Sequence, residues 1–193
     1  MQKFLSACVV TCLFASPVVA QSAKPAIGQD WSGLYAGLSA ATAHGDYKDI
    51  PYPYEYPVSG AAAGLFAGYN YQVGNMVYGG ELSYATSTIR PDKYTDGDFK
   101  ELIDLKARVG YVVGRTMLFG SIGYTSEYMK FDGSPRLNGE GRSFGLGADV
   151  KINDQMFVGA EIQRRDLRNG PTSFTTGFDT VVDSLSVRVG MRF

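Results

Sequence analysis

Glu101-Leu102-Ile103-Asp104-Leu105-Lys106-Ala107-Arg108-Val109-Gly110-Tyr111 is the stretch that decides the fold. Ile103, Leu105, Ala107, Val109 and Tyr111 alternate with Asp104, Lys106, Arg108 and Gly110. A repeat of two is the period of an extended strand, whose successive side chains point to opposite faces. One face of this strand is oily and the other carries one acid and two bases. A soluble, lipocalin-type ligand barrel would have to place those three charges in an apolar cup, at a cost of several kcal/mol each. A membrane barrel reverses the two faces. Its oil meets lipid and its charges pair across a closed lumen. The pattern therefore predicts an all-β chain that crosses a bilayer as strands.

Seven more segments carry the same alternation, which predicts an eight-stranded antiparallel up-and-down transmembrane β-barrel. The strands are expected near Trp31–Ala43, Ala61–Tyr71, Val77–Ser87, Glu101–Tyr111, Met117–Tyr128, Ser143–Val150, Met156–Arg165 and Val182–Phe193. In the last of these Leu185, Val187, Val189, Met191 and Phe193 alternate with Ser184, Ser186, Arg188, Gly190 and Arg192. Most are close to the length of about 9–11 residues that a tilted strand needs to cross a bilayer. The connections alternate short and long. Tight turns are expected near Gln72–Met76, Val112–Thr116 and Ile152–Gln155, and long loops near His44–Gly60, Thr88–Lys100, Lys130–Gly141 and Leu167–Thr180. Short turns at one end and long polar loops at the other are the pattern of an outer-membrane barrel, and closure removes the unpaired edges that lipid does not tolerate.

The beginning of the chain reads as an export signal. Lys3 supplies a positive start, Phe4 to Val19 an apolar stretch, and Val18-Val19-Ala20 a small-residue cleavage site. Residues 1–20 are thus expected to be a signal peptide and 21–30 a polar spacer, with the barrel domain over 31–193. Leu5-Ser6-Ala7-Cys8 resembles a lipoprotein box, but the apolar run before Cys8 is too short for one. Cys8 and Cys12 both fall within the signal, which excludes a disulfide framework or a cysteine-ligated metal in the processed chain. That chain would carry 17 basic and 19 acidic residues, a formal charge of −2. No basic patch dominates, so no nucleic-acid partner is implied.

Aromatics gather at the strand ends. Trp31, Tyr71, Tyr78, Tyr111 and Phe193 are expected at the turn-end interface, and Tyr84, Tyr124, Tyr128 and Phe131 at the loop-end interface. The register sends Glu81, Asp104, Glu127, Asp149 and Glu161 into the lumen, together with Lys106, Arg108, Arg165 and Arg188. Charges shut into a space of low dielectric must pair. Inward glycines, at 33, 37, 64, 68, 110, 123, 145, 147, 159 and 190, are expected to make room for those long side chains. An eight-stranded barrel is just wide enough to be filled by its own side chains. The network therefore reads as a structural plug, with a narrow gated ion path as the alternative.

The Trp31-Ser32-Gly33-Leu34-Tyr35-Ala36-Gly37 start, the glycine-aromatic strands and the terminal Phe193 resemble the small outer-membrane β-barrel proteins of Gram-negative bacteria. Within them the chain is most similar to the opacity-type and alphaproteobacterial surface-antigen barrels. The resemblance covers about Trp31 to the end. It implies a place in the cell outer membrane, among outer-membrane lipid and lipopolysaccharide. It also implies that the barrel-assembly machinery reads Phe193 as an assembly signal. The chain departs from OmpA in stopping at the barrel.

Enzymatic chemistry finds no support in the sequence. His44 is the only histidine, and a lipid hydrolase needs one beside its serine. Ser39 lies five residues before it, on the other face. One histidine and no processed cysteine leave only carboxylates for a metal, and no cofactor is implied. The loops remain. Pro51, Pro53 and Pro57 interleave with Tyr52, Tyr54 and Tyr56, a stiffened segment rich in amphipathic rings. It reads equally as a contact surface for a host or surface ligand and as a loop packed over the barrel mouth. The functional expectation is a structural and surface-interaction barrel with a plugged lumen. The alternative is a minor porin or transporter for small solutes.

Overall fold

The computed structural model describes residues 30–50, 55–91, 100–129, 137–169 and 177–193. The expected signal peptide, Phe131 and the loop residues Tyr52 and Tyr54 lie outside these. Eight long strands run in chain order: β1 Gly33–Ile50, β2 Glu55–Val73, β3 Met76–Ser87, β4 Lys100–Val113, β5 Thr116–Met129, β6 Leu137–Lys151, β7 Met156–Asn169 and β8 Gly177–Arg192. A two-residue piece, Arg90–Pro91, pairs with Ser59 and Val58 of β2 in the register already set by β3 and so prolongs it. Every pairing is antiparallel; each long strand pairs with its neighbours in sequence, and β1 also pairs with β8. The sheet closes on itself with no free edge.

The turns between β2 and β3 and between β4 and β5 are two residues long. Gly74 and Gly114 take positive φ, 59° and 60°, and the residue after each does not. That is the II′ pattern, whose twist matches the flanking strands and whose first position favours glycine.

The oily faces point outward as the alternation requires. Leu105 is 63% exposed, while its neighbour Lys106 is 5% exposed. On β4 the outward apolar run from Ile103 to Val113 is about 33 Å along the strand, or about 25 Å of height at a tilt near 40°, which matches the apolar band of a membrane barrel. The strands do not stop there. The first expected loop, His44–Gly60, is mostly strand, because β1 and β2 stay paired up to Lys48↔Glu55. β6, β7 and β8 likewise continue into segments expected to be loop. The reason lies in the outward residues. Above the apolar band they become charged cross-strand partners instead of oil, so the amphipathic signal ends while the backbone ladder continues.

Trp31 departs from expectation. It was assigned to the turn-end interface, yet it is 1% exposed inside the barrel mouth. Its odd number gives it the parity of Tyr35, which also faces inward. Its backbone N–H donates to Gln72 Oε1 at 2.7 Å, and its ring meets Phe157 edge-on at 5.9 Å. Tyr71, Tyr78, Tyr111 and Phe193 do point outward at that end, as do Tyr84, Tyr124 and Tyr128 at the other.

Trp31 is the only tryptophan of the chain, so its emission reports on this mouth alone. Folding should shift it to the blue and shield it from acrylamide, and Phe157→Ala should reverse part of both effects. Equal quenching in the folded and urea-unfolded chain would contradict the placement.

Candidate functional site

The lumen is layered, and β4 displays the layers in order. Reading from the loop end, its inward residues are Leu102, Asp104, Lys106, Arg108, Gly110 and Val112.

At the turn end lies an apolar layer of Trp31, Tyr35, Phe66, Val77, Val112, Met117, Phe119 and Phe157. Four of its rings each face a glycine on the neighbouring strand: Tyr35↔Gly68, Phe66↔Gly37, Phe119↔Gly147 and Phe157↔Gly190. A Cβ at Gly37 would lie 2.5 Å from the Phe66 ring. Four of the ten expected inward glycines thus make room for rings, and Gly123 lies against the Lys106 side chain. Only some, such as Gly145 and Gly159, sit against the carboxylates of Glu161 and Asp149.

Above the rings lie three acids and three bases, all buried. Glu81 is the hub. Arg188 donates to it at 2.7 Å, Arg108 at 3.0 Å, and Lys106 lies 2.9 Å away. Asp149 takes Arg108 at 2.8 Å and lies 3.3 Å from Arg188, and Lys106 donates to Glu161 at 2.9 Å. Tyr35 joins this group from below. Its hydroxyl donates to Glu81 at 3.0 Å and accepts from Arg108 at 2.9 Å. The guanidiniums also stack on the rings, Arg108 3.8 Å from the Phe119 centroid and Arg188 4.1 Å from that of Phe66. Burying six charges is tolerable only because each faces opposite charge and the set is neutral.

A second polar tier follows. Arg165 donates to Asp104 at 2.8 Å, and Ser83 and Thr125 also donate to that carboxylate. Glu127 is buried above it, near Arg165 and Thr180. The loop end then closes on a second apolar cluster of Ala43, Val58, Ile89, Leu102 and Val182. The expected lumen of salt and glycine is thus corrected: the nine expected charges lie between or beside two apolar layers, and Lys151, which was not expected, is buried at the turn end over the Trp31 ring. All nine expected charged residues face inward. The two apolar layers, the stacking rings and the Tyr35 hydroxyl were not anticipated. Strand parity was the signal that could have found them, since Phe66, Phe119, Phe157 and Leu102 share it with the charges.

On the outside, above the apolar band, the charges alternate from strand to strand. Glu140, Arg168, Asp179, Lys48 and Glu55 form one register-paired row across β6, β7, β8, β1 and β2. Lys48 meets Glu55 at 2.6 Å. Arg164 grips Asp183 through two hydrogen bonds of 2.7 and 2.6 Å, which hold that carboxyl below the usual carboxylate range. Its contribution is present above the ordinary aspartate pKa and fades as the pH falls through the lowered one. It is small, because both groups are solvated. His44 lies on this outer face, opposite Asp183 and Ser59, whereas Ser39 faces the lumen. The wall of the barrel separates the two. Tyr56 lies in β2 opposite Tyr47.

A family model described as the outer membrane protein beta-barrel domain matches residues 6–193. The chain belongs to this family. A 22 kDa outer membrane protein of Rhizobium leguminosarum bv. viciae is 25% identical over 186 residues, covering 90% of this chain and 83% of that one. Among solved structures, Neisserial surface protein A aligns with a TM-score of 0.53 at 14% identity, over 84% of this chain and 98% of that one. The outer membrane protein OprG of Pseudomonas aeruginosa aligns with a TM-score of 0.51 at 12% identity, over 86% and 99%. At such identities the structural matches speak for the fold. As in other barrels of the family, apolar residues clothe the outside and aromatics mark the two bilayer interfaces.

Glu81→Gln leaves Arg108, Arg188 and Lys106 facing two remaining carboxylates. It should cost the barrel about 3–5 kcal/mol, as breaking a buried ion pair does. Arg164→Gln on the outer face should cost little. Urea titration of the refolded barrel, read by heat-modifiable gel migration, measures both. Similar losses for the two variants would contradict the hub role of Glu81.

Proposed function

We propose that this chain is an outer-membrane barrel that acts through its surface and conducts no bulk solute through its lumen. One observation carries the reading: the neutral set of six charges lies directly on the aromatic layer, with two guanidiniums stacked on its rings. In an eight-stranded barrel such a filling leaves no room for an aqueous path, which belongs to barrels of about 16 strands. The outer face supports the other half. The β1–β2 hairpin continues from Thr42 to Ile50 above the apolar band, which lifts its tip by about 20 Å at the same tilt. The charged rows along that extension stiffen it. The described ends of the hairpin, Lys48 and Glu55, are thereby carried away from the bilayer, and the Pro-Tyr sequence that joins them is our candidate contact for a host or surface ligand. Outer-membrane lipid, lipopolysaccharide included, is the partner of the apolar band. Phe193 serves as the assembly signal for the barrel-assembly machinery. It is 76% exposed, and its backbone N–H donates to Leu34 across the β1–β8 seam.

Planar bilayer recordings of the purified barrel should show no large, stable openings. Such openings would favour the minor porin. Deleting Tyr52 to Tyr56 should weaken adhesion to host cells or immobilised surface ligands while leaving gel migration unchanged. Unchanged adhesion would remove the contact role of the loop.

A further inference from the structure

The lumen is not filled evenly. A cavity of about 50 Å³ lies beside the second polar tier. It arises where β1 and β2 set two runs of small residues in register, with Ser39↔Gly64, Ala41↔Ala62 and Ala43↔Gly60 as paired rungs. Across the lumen they face Asp104 and Lys106 of β4 and Glu161 and Arg165 of β7. Inward-facing Ser39, Ala41 and Ala62 keep accessible surface, although Lys106 across the lumen and Arg188 beside Ser39 are buried. The rest of the wall is polar, with Ser184 and Ser186 of β8 in register beside Ala43 and Ala41, and Gln163 of β7 next to them. Among the described residues the Gln163 side-chain N–H group finds no hydrogen-bond partner. A polar space of this size holds about three or four water molecules.

A smaller void of about 10 Å³ lies further toward the loop end, lined by Tyr47, Val58, Glu127 and Thr180 among others. The two voids share three lining residues, Ile89, Leu102 and Arg165. Toward the turn end the cavity instead meets Glu81, Lys106 and Arg188, and beyond them the aromatic layer.

From this asymmetry we infer that the cavity is a blind, water-filled vestibule that admits small polar solutes from the loop end, with Ile89 and Leu102 as its door. The permanent seal of the barrel lies in its turn half. The loop-end barrier is an aliphatic layer in which Ile89 and Leu102, with Arg165 beside them, stand between the two voids; such a layer opens by rotamer motion and wetting, whereas six interlocked charges on a bed of rings do not. The inference rests on the proposed sealed lumen and adds the side from which the lumen can be entered.

Cysteine reactivity tests it in the full chain, exported, purified in detergent and shown to be folded by heat-modifiable migration. The parent chain supplies the background. Ser39→Cys reports the chamber, with Ala41→Cys as a second reporter on the same wall, and Met117→Cys reports the aromatic layer. The probe is a small cationic methanethiosulfonate. Ser39→Cys should react, and Leu102→Ala or Ile89→Ala should speed that reaction about tenfold. Phe157→Ala or Met117→Ala, which thin the turn side, should leave the rate of Ser39→Cys unchanged. Met117→Cys should stay unreactive. Two results overturn the inference while leaving the sealed barrel standing: no reaction of either chamber reporter even with Leu102→Ala, or acceleration by the turn-side variants instead of the loop-side ones. Reaction of Met117→Cys as fast as Ser39→Cys would overturn both, since it means a path from end to end.

Discussion

The structure depends on one electrostatic constraint: a carboxylate, Glu81, sits at the centre of a closed barrel with three cations around it. None of these groups can be moved to water without unmaking the barrel, and none can stay without the others. Arg108 and Arg188 reach Asp149 as well, Lys106 reaches Glu161, and the charges cancel. Most of the remaining lumen is arranged around that requirement. The rings beneath give the guanidiniums a face to lie on, and the glycines opposite those rings give the rings their space.

The same alternation that supplies these inward charges supplies the outer coat. In β4 a shift of one residue would turn Ile103, Leu105 and Val109 inward and Asp104, Lys106 and Arg108 toward lipid. Both faces would then pay at once, which is why the register is so strongly specified. Beyond the bilayer the outer face changes its chemistry and not its backbone. Arg164 and Asp183, then Lys48 and Glu55, replace oil with paired charge and carry the ladder on toward the loops. The fold thus changes its filling along one axis, from an aromatic turn half through a tier of buried ions to an extended rim.

Much of this was legible in the sequence. Strand number, antiparallel order, turn positions and the inward placement of the nine expected charges follow from the period-two reading, because a closed sheet leaves each residue only two directions. Three things were not legible. Trp31 was read by its place at a strand end, when its parity with Tyr35 was the better guide. The apolar layers were missed because Phe66, Phe119, Phe157 and Leu102 interrupt an inward face that was expected to be polar. A lumen tolerates oil wherever it is capped away from water. The expected strand ends toward the loops fall short of the observed ones, because the change from oil to charge at Asp46, Lys48, Arg164 and Arg168 resembles the onset of a polar loop. Which charge would pair with which could not be read at all, since Glu81 meets Arg188 across 107 positions of chain.

The inside-out arrangement is tested most directly by quenching with brominated lipid in reconstituted vesicles. The parent chain carries its one tryptophan in the lumen, and a Trp31→Phe chain with Leu105→Trp carries it on the outer face. The account predicts that bromine on the acyl chains quenches the second strongly and the first hardly at all. Strong quenching of Trp31, or a Leu105→Trp chain untouched by bromine, would contradict it.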